Sequence, residues 1–198
     1  TLNLGAQDAD VRAVSFNLSG TLYLVNNDRN TGDQLDDFLF SLAMEDFATG
    51  NATLVGQITL ADQTALKGVQ GMAASPLGTF FAWDVFLGLV SIDPASGIAT
   101  DIDPNDNFVA SAPPEEQNDP GGINPGSIQS LAFVGGTLFG ARNDLFEIDT
   151  SSGQATLVGA IGGEGDIRGL SIVPEPSTWA LLSLGLLALV VARRRQRA

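Results

Sequence analysis

The sequence predicts an all-β body followed by one short apolar helix. Three observations support this fold class. One turn-like pattern recurs three times along the chain, an alternating apolar segment precedes each copy, and glycine-rich turns separate the segments. The composition then changes abruptly at Pro174, and a long run without charge soon follows and leads to an arginine cluster. We therefore divide the 198 residues into a repeat region, residues 1–173, and a tail, residues 174–198.

Two recurring patterns define the repeat unit. The pattern D-x-x-[ST]-G-x-A-T starts three times, at Asp46, Asp93 and Asp149. It is typical of a turn, because aspartate bonds its own backbone and glycine adopts positive φ. An apolar opening pattern starts four times, at Val11, Val69, Ile128 and Ile167, and the first three copies lead to Gly-Thr and a further apolar strand. Each complete unit therefore predicts four short strands joined by tight turns.

The spacing of the units favours propeller blades. Successive opening patterns lie 58, 59 and 39 residues apart, and four-stranded blades repeat about every 40–50 residues. The two longer spacings indicate insertions at about 26–37 and 103–126. We predict about three complete blades in an open arc with exposed sheet edges, because a closed ring needs about four to eight blades. A β-solenoid has shorter repeats, and a β-sandwich leaves the repetition unexplained. The repeats resemble Kelch-, NHL- and YVTN-type propellers in general character, without a complete signature of any of them.

The first residues resemble the end of a repeat. Residues 1–5 are similar to residues 156–159, and an acidic stretch follows both. This likeness predicts that the chain begins within a blade. We expect further blades, and a signal peptide for export, upstream of Thr1 in a longer protein.

The tail has the composition of a short membrane helix. Thr178–Ala192 is a run of 15 uncharged residues, and the tail then ends with Arg193, Arg194, Arg195 and Arg197. A helix of this length reaches about 22 Å, less than the roughly 30 Å of the hydrocarbon core, so it spans only with local thinning and snorkelling arginines. The positive-inside rule places the arginines in the cytoplasm. The alternative, a buried helix of a soluble domain, lacks a polar face to show to water.

The same tail resembles the PEP-CTERM sorting signal, which has a Pro-Glu-Pro tripeptide, a short apolar helix and terminal arginines in this order. The resemblance implies that an exosortase-type membrane protease recognises Pro174, Glu175 and Pro176 and cleaves near them. Arg193, Arg194, Arg195 and Arg197 would hold the chain in the inner membrane until then. The product would reach the cell surface or the extracellular biofilm matrix of a Gram-negative bacterium, where such proteins often accompany exopolysaccharide.

The composition excludes several functions. The chain contains no cysteine and no histidine, which excludes disulfides, thiol nucleophiles, Cys/His zinc sites and a histidine base. The formal net charge is −14. Residues 1–173 contain 5 basic and 22 acidic residues, giving −17, and the tail contains 4 and 1, giving +3. A body this acidic argues against binding to nucleic acid.

Alternating oxygen donors make one stretch a candidate calcium site. Asp101, Asp103 and Asn105 match the first half of a calcium loop, but Asp106 stands where glycine is needed and Ala112 stands where glutamate is needed. A second oxygen-rich stretch, residues 26–33, has no complete pattern either. The alternative for both is a solvated acidic loop. We expect no cofactor, with calcium as the alternative.

The sequence favours a body that binds ligands or has a structural role. A glycosidase is the alternative, since two carboxylates suffice for that reaction. Aromatic platforms for sugars are scarce, because Tyr23, Phe81 and Phe139 occupy one repeat position and are interpreted as blade core. Asp46, Asp93 and Asp149 recur once per unit and are interpreted as turn residues. We therefore expect a non-enzymatic partner of exopolysaccharide, which binds through loops on the propeller faces.

Overall fold

The computed structural model describes residues 2–5, 10–28, 36–104, 128–162 and 167–171. Within these ranges the chain forms thirteen strands in three separate sheets, none of which closes on itself. We call the sheets blade 1, blade 2 and blade 3 in chain order. The predicted all-β class and the four-stranded repeat unit are confirmed.

The strands follow the predicted units. Blade 1 has the order β1 (Val11–Phe16), β2 (Leu22–Asp28), β3 (Asp36–Leu42) and β4 (Thr53–Gln57), and a 3₁₀ turn (Met44–Asp46) follows β3. Blade 2 has the order β5 (Thr59–Leu60), β9 (Ile98–Asp101), β8 (Gly88–Ile92), β7 (Phe80–Asp84) and β6 (Val69–Ala74). Blade 3 has the order β10 (Ser130–Val134), β11 (Thr137–Ala141), β12 (Asp144–Ile148) and β13 (Ala155–Ala160).

The blades pack face to face through apolar side chains. Between blades 1 and 2, Val25 and Leu39 share a core with Phe80 and other residues of blade 2. Between blades 2 and 3, the fully buried Trp83 shares a core with blade 3 residues that include Leu138. Burial of each such large side chain stabilises the fold by about 1.5–3 kcal/mol. In the absence of disulfides, these two cores hold the arc together.

The first strand of each blade lies innermost. Strands β1, β6 and β10 lie side by side, with β6 in the middle. Their equivalent positions carry the small residues Ala13, Gly71 and Ser130. A Cβ atom at Gly71 would lie only 2.9 Å from the Ser130 Cα atom. The inner strands of blades 2 and 3 therefore approach each other too closely at this point for a larger residue.

The outer edges of blades 1 and 2 each pair with the chain that precedes the blade, which the sequence does not predict. Strand β5 pairs in parallel with β9, and the Thr59 N–H donates to the Gly97 carbonyl at 3.3 Å. In the same way Asn3 bridges Asn51 in parallel at the edge of blade 1, and its N–H donates to the Gly50 carbonyl at 2.8 Å. Gly97 has a φ of 76°, and a Cβ there would lie 3.1 Å from the Gln57 carbonyl oxygen. Glycine at position 97 thus allows both the positive φ of the turn and the close approach of the crossing chain.

The prediction of an insertion at 26–37 is wrong at both of its ends. Strand β2 continues to Asp28 and β3 begins at Asp36, so strand residues replace part of the expected loop. Asn26 and Asn27 are fully buried instead of solvated. Burial is possible because the Asn27 Nδ2 atom donates to the Asp37 Oδ1 atom at 2.9 Å. The rest of that insertion, residues 29–35, and most of the second, residues 105–127, lie outside the described ranges.

The fourth opening pattern does not form the expected strand. Residues 167–171 have no strand assignment. The Ile167 N–H donates to the Arg142 carbonyl at 3.0 Å, which attaches the segment to a loop of blade 3 instead of a neighbouring strand. The predicted tail helix lies outside the described residues. Among the residues that are described, no helix is long and apolar enough to cross a membrane.

Candidate functional site

A polar cleft opens where the inner strands begin. Its volume is about 560 Å³, and its lining residues are Asp10, Val11, Arg12, Gln70, Val85, Gln129, Arg142 and Arg168. A smaller hollow of about 180 Å³ continues along the same strands. The larger volume lies within the range of small-molecule sites, roughly 300–1,000 Å³. We refer to the larger opening as the central cleft.

Four of the lining side chains come from the same position of the opening pattern. Arg12, Gln70, Gln129 and Arg168 each follow the first residue of an opening pattern. Because β1, β6 and β10 lie side by side, Arg12, Gln70 and Gln129 meet in the central cleft, and the bond from the Ile167 N–H to the Arg142 carbonyl brings Arg168 to the same opening. Our sequence interpretation missed them. The available signal was a long polar side chain, Arg or Gln, at the same position of each otherwise apolar opening pattern.

Arg12 is held in position by its neighbours. Its Nη2 and Nε atoms donate to the Asp10 Oδ2 atom at 3.0 and 3.2 Å. The Asp10 N–H in turn donates to the Oδ1 atom of the buried Asn26 at 2.8 Å. The end of β2 thereby fixes the ion pair at the rim of the cleft.

Arg142 and Arg168 enter the cleft from blade 3 and the segment after it. The bond from the Ile167 N–H to the Arg142 carbonyl brings the two arginines into one lining. Arg142 is half-buried and Arg168 is exposed. Together with Arg12 they place three guanidinium groups against the single carboxylate of Asp10, so the described lining has a formal charge of +2.

A buried carboxylate lies near the cleft, at the contact of blades 1 and 2. Asp37 is fully buried in β3, and its carboxylate accepts hydrogen bonds from Asn27 Nδ2 at 2.9 Å and from the Val69 N–H at 2.8 Å. Burial raises the pKa of Asp37 to about 6, although both hydrogen bonds oppose the shift. The negative charge of Asp84 adds to the increase, and the positive charge of Arg12 reduces it.

Asp84 is the second buried carboxylate at this contact. It accepts hydrogen bonds from the N–H groups of Phe86 at 2.7 Å, Leu87 at 3.1 Å and Gly68 at 3.0 Å. Burial raises its pKa in spite of these bonds. Because only 1% of Asp84 and none of Asp37 is exposed, both acids act on the backbone around them and do not reach a ligand in the cleft.

The calcium interpretation stays a prediction. Asp101 ends β9 and pairs with Val90, and Asp103 lies beside Gly153, whereas Asn105 lies outside the described residues. In the part of the chain that the structure describes, no three acidic, histidine or cysteine side chains form a group that could hold a metal ion.

The recurring aspartates are turn residues, as predicted. The Asp93 carboxylate accepts from the Ala95 N–H at 3.0 Å and from Ser96 Oγ at 2.7 Å. The Asp149 carboxylate accepts from Ser151 Oγ and from the Ser151 N–H in the same way. These bonds favour the charged form and hold the pKa of both carboxyls below the usual value.

Two aromatic pairs lie at the contacts between blades. The rings of Tyr23 and Phe80 lie 4.9 Å apart between blades 1 and 2. The rings of Phe81 and Phe133 lie 5.8 Å apart between blades 2 and 3. Tyr23 and Phe81 are half-buried and pack against the two cores, in agreement with the prediction, and Phe139 is half-buried in β11.

Solved structures share the fold defined by these blades. A candidate gluconolactonase is 13% identical with a TM-score of 0.52, over 88% of this chain and 55% of that one. A gluconolactonase from Xanthomonas campestris is 12% identical with a TM-score of 0.50, over 87% and 54%. This chain thus spans about half the length of either structure. The likeness shows a β-propeller-type fold alone.

Two further comparisons concern the calcium interpretation and the sequence as a whole. The calcium-binding protein regucalcin from Agrobacterium tumefaciens is 15% identical with a TM-score of 0.44, over 74% of this chain and 44% of that one. That likeness is too low to bear on calcium in this chain. No curated protein matches the chain in sequence.

The tail identifies how the protein is sorted. Residues 173–196 match the PEP-CTERM protein-sorting motif, which confirms the resemblance noted in the sequence. The chain is therefore exported, held transiently at the membrane, processed by exosortase and brought to the cell surface. The motif residues Pro174, Glu175 and Pro176 and the arginines at 193, 194, 195 and 197 lie outside the described residues, so their individual roles stay predictions.

Proposed function

We propose that the protein is a surface-displayed binding module for the exopolysaccharide of the cell that exports it, and that the central cleft is its binding site. The observation that supports this proposal most directly is the convergence of Arg12, Gln70, Gln129 and Arg168 on one opening. Guanidinium and amide groups are suited to the hydroxyl and carboxylate oxygens of a saccharide. The sorting motif supports the proposal because it brings the chain to the cell surface, where we expect it to meet this polymer.

We further propose that the body has no enzymatic activity. A glycosidase needs two carboxyl groups that face a substrate. Among the described residues that line the cleft, Asp10 is the one acid, and its carboxylate is bonded to Arg12. The other close acids, Asp37 and Asp84, are sealed inside the blade contact. These features favour binding over cleavage.

The test uses the full chain and exopolysaccharide purified from the exporting cell. The protein is incubated with the polymer, co-sedimentation measures retention, and light scattering follows the length of the polymer. Retention at constant polymer length supports the proposal. Loss of polymer length would contradict the non-enzymatic role and favour the glycosidase alternative, and a protein that stays in the supernatant would contradict the binding role.

A matched pair of variants locates the binding. Gln129→Ala removes one amide from the cleft, and a neutral hydrogen bond contributes about 0.5–1.5 kcal/mol, so we expect about twofold to tenfold weaker retention. Gln154→Ala removes an amide that is exposed on a turn of blade 3 and should leave retention unchanged. Equal effects of the two changes would place the binding site elsewhere.

A further inference from the structure

The central cleft collects most of the positive charge of the body. Residues 1–173 contain five basic residues, and three of them, Arg12, Arg142 and Arg168, line this one opening. They converge from β1, from the end of β11 and from the segment after blade 3. An acidic chain that gathers its few guanidinium groups at one place has the arrangement of an anion site.

The ligand that suits this charge pattern is compact. The body has a formal charge of −17, so it disfavours anionic groups in general, and the basic cleft favours the entry of one carboxylate-bearing unit of a ligand. Screening at physiological salt acts over about 8 Å, so the guanidinium groups of the lining act mainly on a group that enters the opening. Planar guanidinium groups bind a planar carboxylate through two parallel hydrogen bonds.

The remaining lining indicates a hydroxylated ligand. Gln70 and Gln129 are half-buried and bring two amides beside the arginines. Each amide has donors and an acceptor, as a sugar hydroxyl requires. Val11 and Val85 are the apolar members of the lining, and neither offers the aromatic face on which a neutral sugar would stack. The charged and amide groups therefore dominate the chemistry of the opening.

We infer that the central cleft binds the carboxylate of a sugar acid, such as a uronate unit of an acidic polysaccharide, through Arg142 and Arg168. Arg12 is oriented by its bond to Asp10 and adds positive charge at the rim. This assignment rests on the binding role proposed above and names the chemical class of its ligand. The carboxylate enters as an anion and no bond forms or breaks.

The test compares an acid with its ester. Calorimetry measures binding of the full chain, in mild detergent, to a galacturonate trimer and to the methyl ester of the same trimer. The ester keeps the sugar rings and removes the charge, so we expect the acid to bind and the ester to bind at least about tenfold more weakly, as loss of charge-assisted hydrogen bonds requires. Inorganic phosphate, as a second probe, should not displace the trimer at equal concentration.

Two charge-matched variants complete the test. Arg168→Gln should weaken binding of the acid about tenfold to a hundredfold. Lys67→Gln removes the same charge outside the cleft lining, beside Asp36, and should change binding by no more than about twofold, because solvent and salt screen an exposed charge. Thermal unfolding of both variants establishes that each is folded.

The outcomes separate this inference from the proposed function. If the native exopolysaccharide is retained while acid and ester bind equally, or Arg168→Gln has no effect, the sugar-acid assignment is overturned and the binding role stands. If the trimer binds but the exopolysaccharide does not, the proposed function is overturned and the sugar-acid site stands. If neither binds, or phosphate displaces the trimer at equal concentration, the assignment fails.

Discussion

At the scale of single residues, the structure uses carboxylates in two opposite ways. Asp93 and Asp149 are exposed, bond their own turns and have a lowered pKa. Asp37 and Asp84 are buried where blades 1 and 2 meet and have a raised pKa. The opposite pKa shifts follow from solvation. Hydrogen bonds from the backbone favour the charged form of all four carboxyls, and only for Asp37 and Asp84 does burial outweigh these bonds and raise the pKa.

The raised pKa of Asp37 predicts a pH-dependent stability. Asp37 binds its proton more tightly in the folded chain, with a pKa of about 6, than in the unfolded chain, where it is near 3.8. The protonated Asp37 carboxyl therefore contributes its full share to the stability of the fold below about pH 4, and this stabilisation is lost as the pH rises through 6. We expect Asp37→Asn, which stays neutral, to gain on the order of 3 kcal/mol in free energy of unfolding relative to the wild type between pH 4 and pH 7. Urea unfolding at each pH measures this difference.

The control for Asp37→Asn is a turn aspartate. Asp93→Asn removes an exposed carboxyl whose pKa is lowered, so the variant should not gain stability relative to the wild type as the pH rises. A difference between Asp37→Asn and the wild type that stays constant with pH would show that Asp37 titrates normally.

At the scale of strands, the arc depends on how closely the inner strands approach each other. The opening patterns at Val11, Val69 and Ile128 have small residues two positions later, where β6 meets its neighbours. Gly71 is the tightest of these positions, since a Cβ there would lie 2.9 Å from backbone. Backbone moves less readily than a flexible side chain, so the strands themselves would have to separate.

A pair of glycine substitutions tests this close approach. We expect Gly71→Ala to lower the free energy of unfolding by about 1–3 kcal/mol, as overpacking does in other cores. Gly159→Ala in β13 is the control, because no atom lies within 4 Å of its added Cβ. It should change stability by less than about 1 kcal/mol. Denaturant unfolding measures the stability of both variants. Equal stabilities would mean that β6 and β10 can move apart at little cost in free energy.

At the scale of the whole molecule, the chain consists of an acidic body and a basic tail with different tasks. The body has a charge of −17 and the tail +3. The tail matches a sorting motif, whereas the body forms the blades and the cleft. Processing at the tail would leave the body without its apolar, arginine-rich end.

The sorting motif predicts a change in cellular location. Replacing Pro174, Glu175 and Pro176 by alanine should leave an unprocessed form in the membrane fraction, because exosortase no longer recognises its substrate while the apolar run still anchors the chain. Immunoblots of membrane and extracellular fractions measure the ratio. Replacing Pro113, Pro114 and Glu115, which have the same residue types in an insertion, should leave processing intact. Normal processing of the first variant would show that the tripeptide is dispensable.

The sequence by itself determined the repeat unit, the strand class, the turn aspartates and the sorting motif. Each of these depends on residues that are close along the chain, where periodicity, turn chemistry and composition act directly. The sequence also showed that disulfides have no part in holding the blades together.

Only the tertiary structure decided which distant residues meet. Arg12, Gln70 and Gln129 are far apart in sequence and line one cleft because the inner strands lie side by side, and a backbone hydrogen bond to Arg142 brings Arg168 to the same cleft. Asn27 and Asp37, which the sequence assigns to an insertion, are buried as hydrogen-bonded partners. Local sequence could not reveal either result, since burial and convergence depend on how one blade packs against the next.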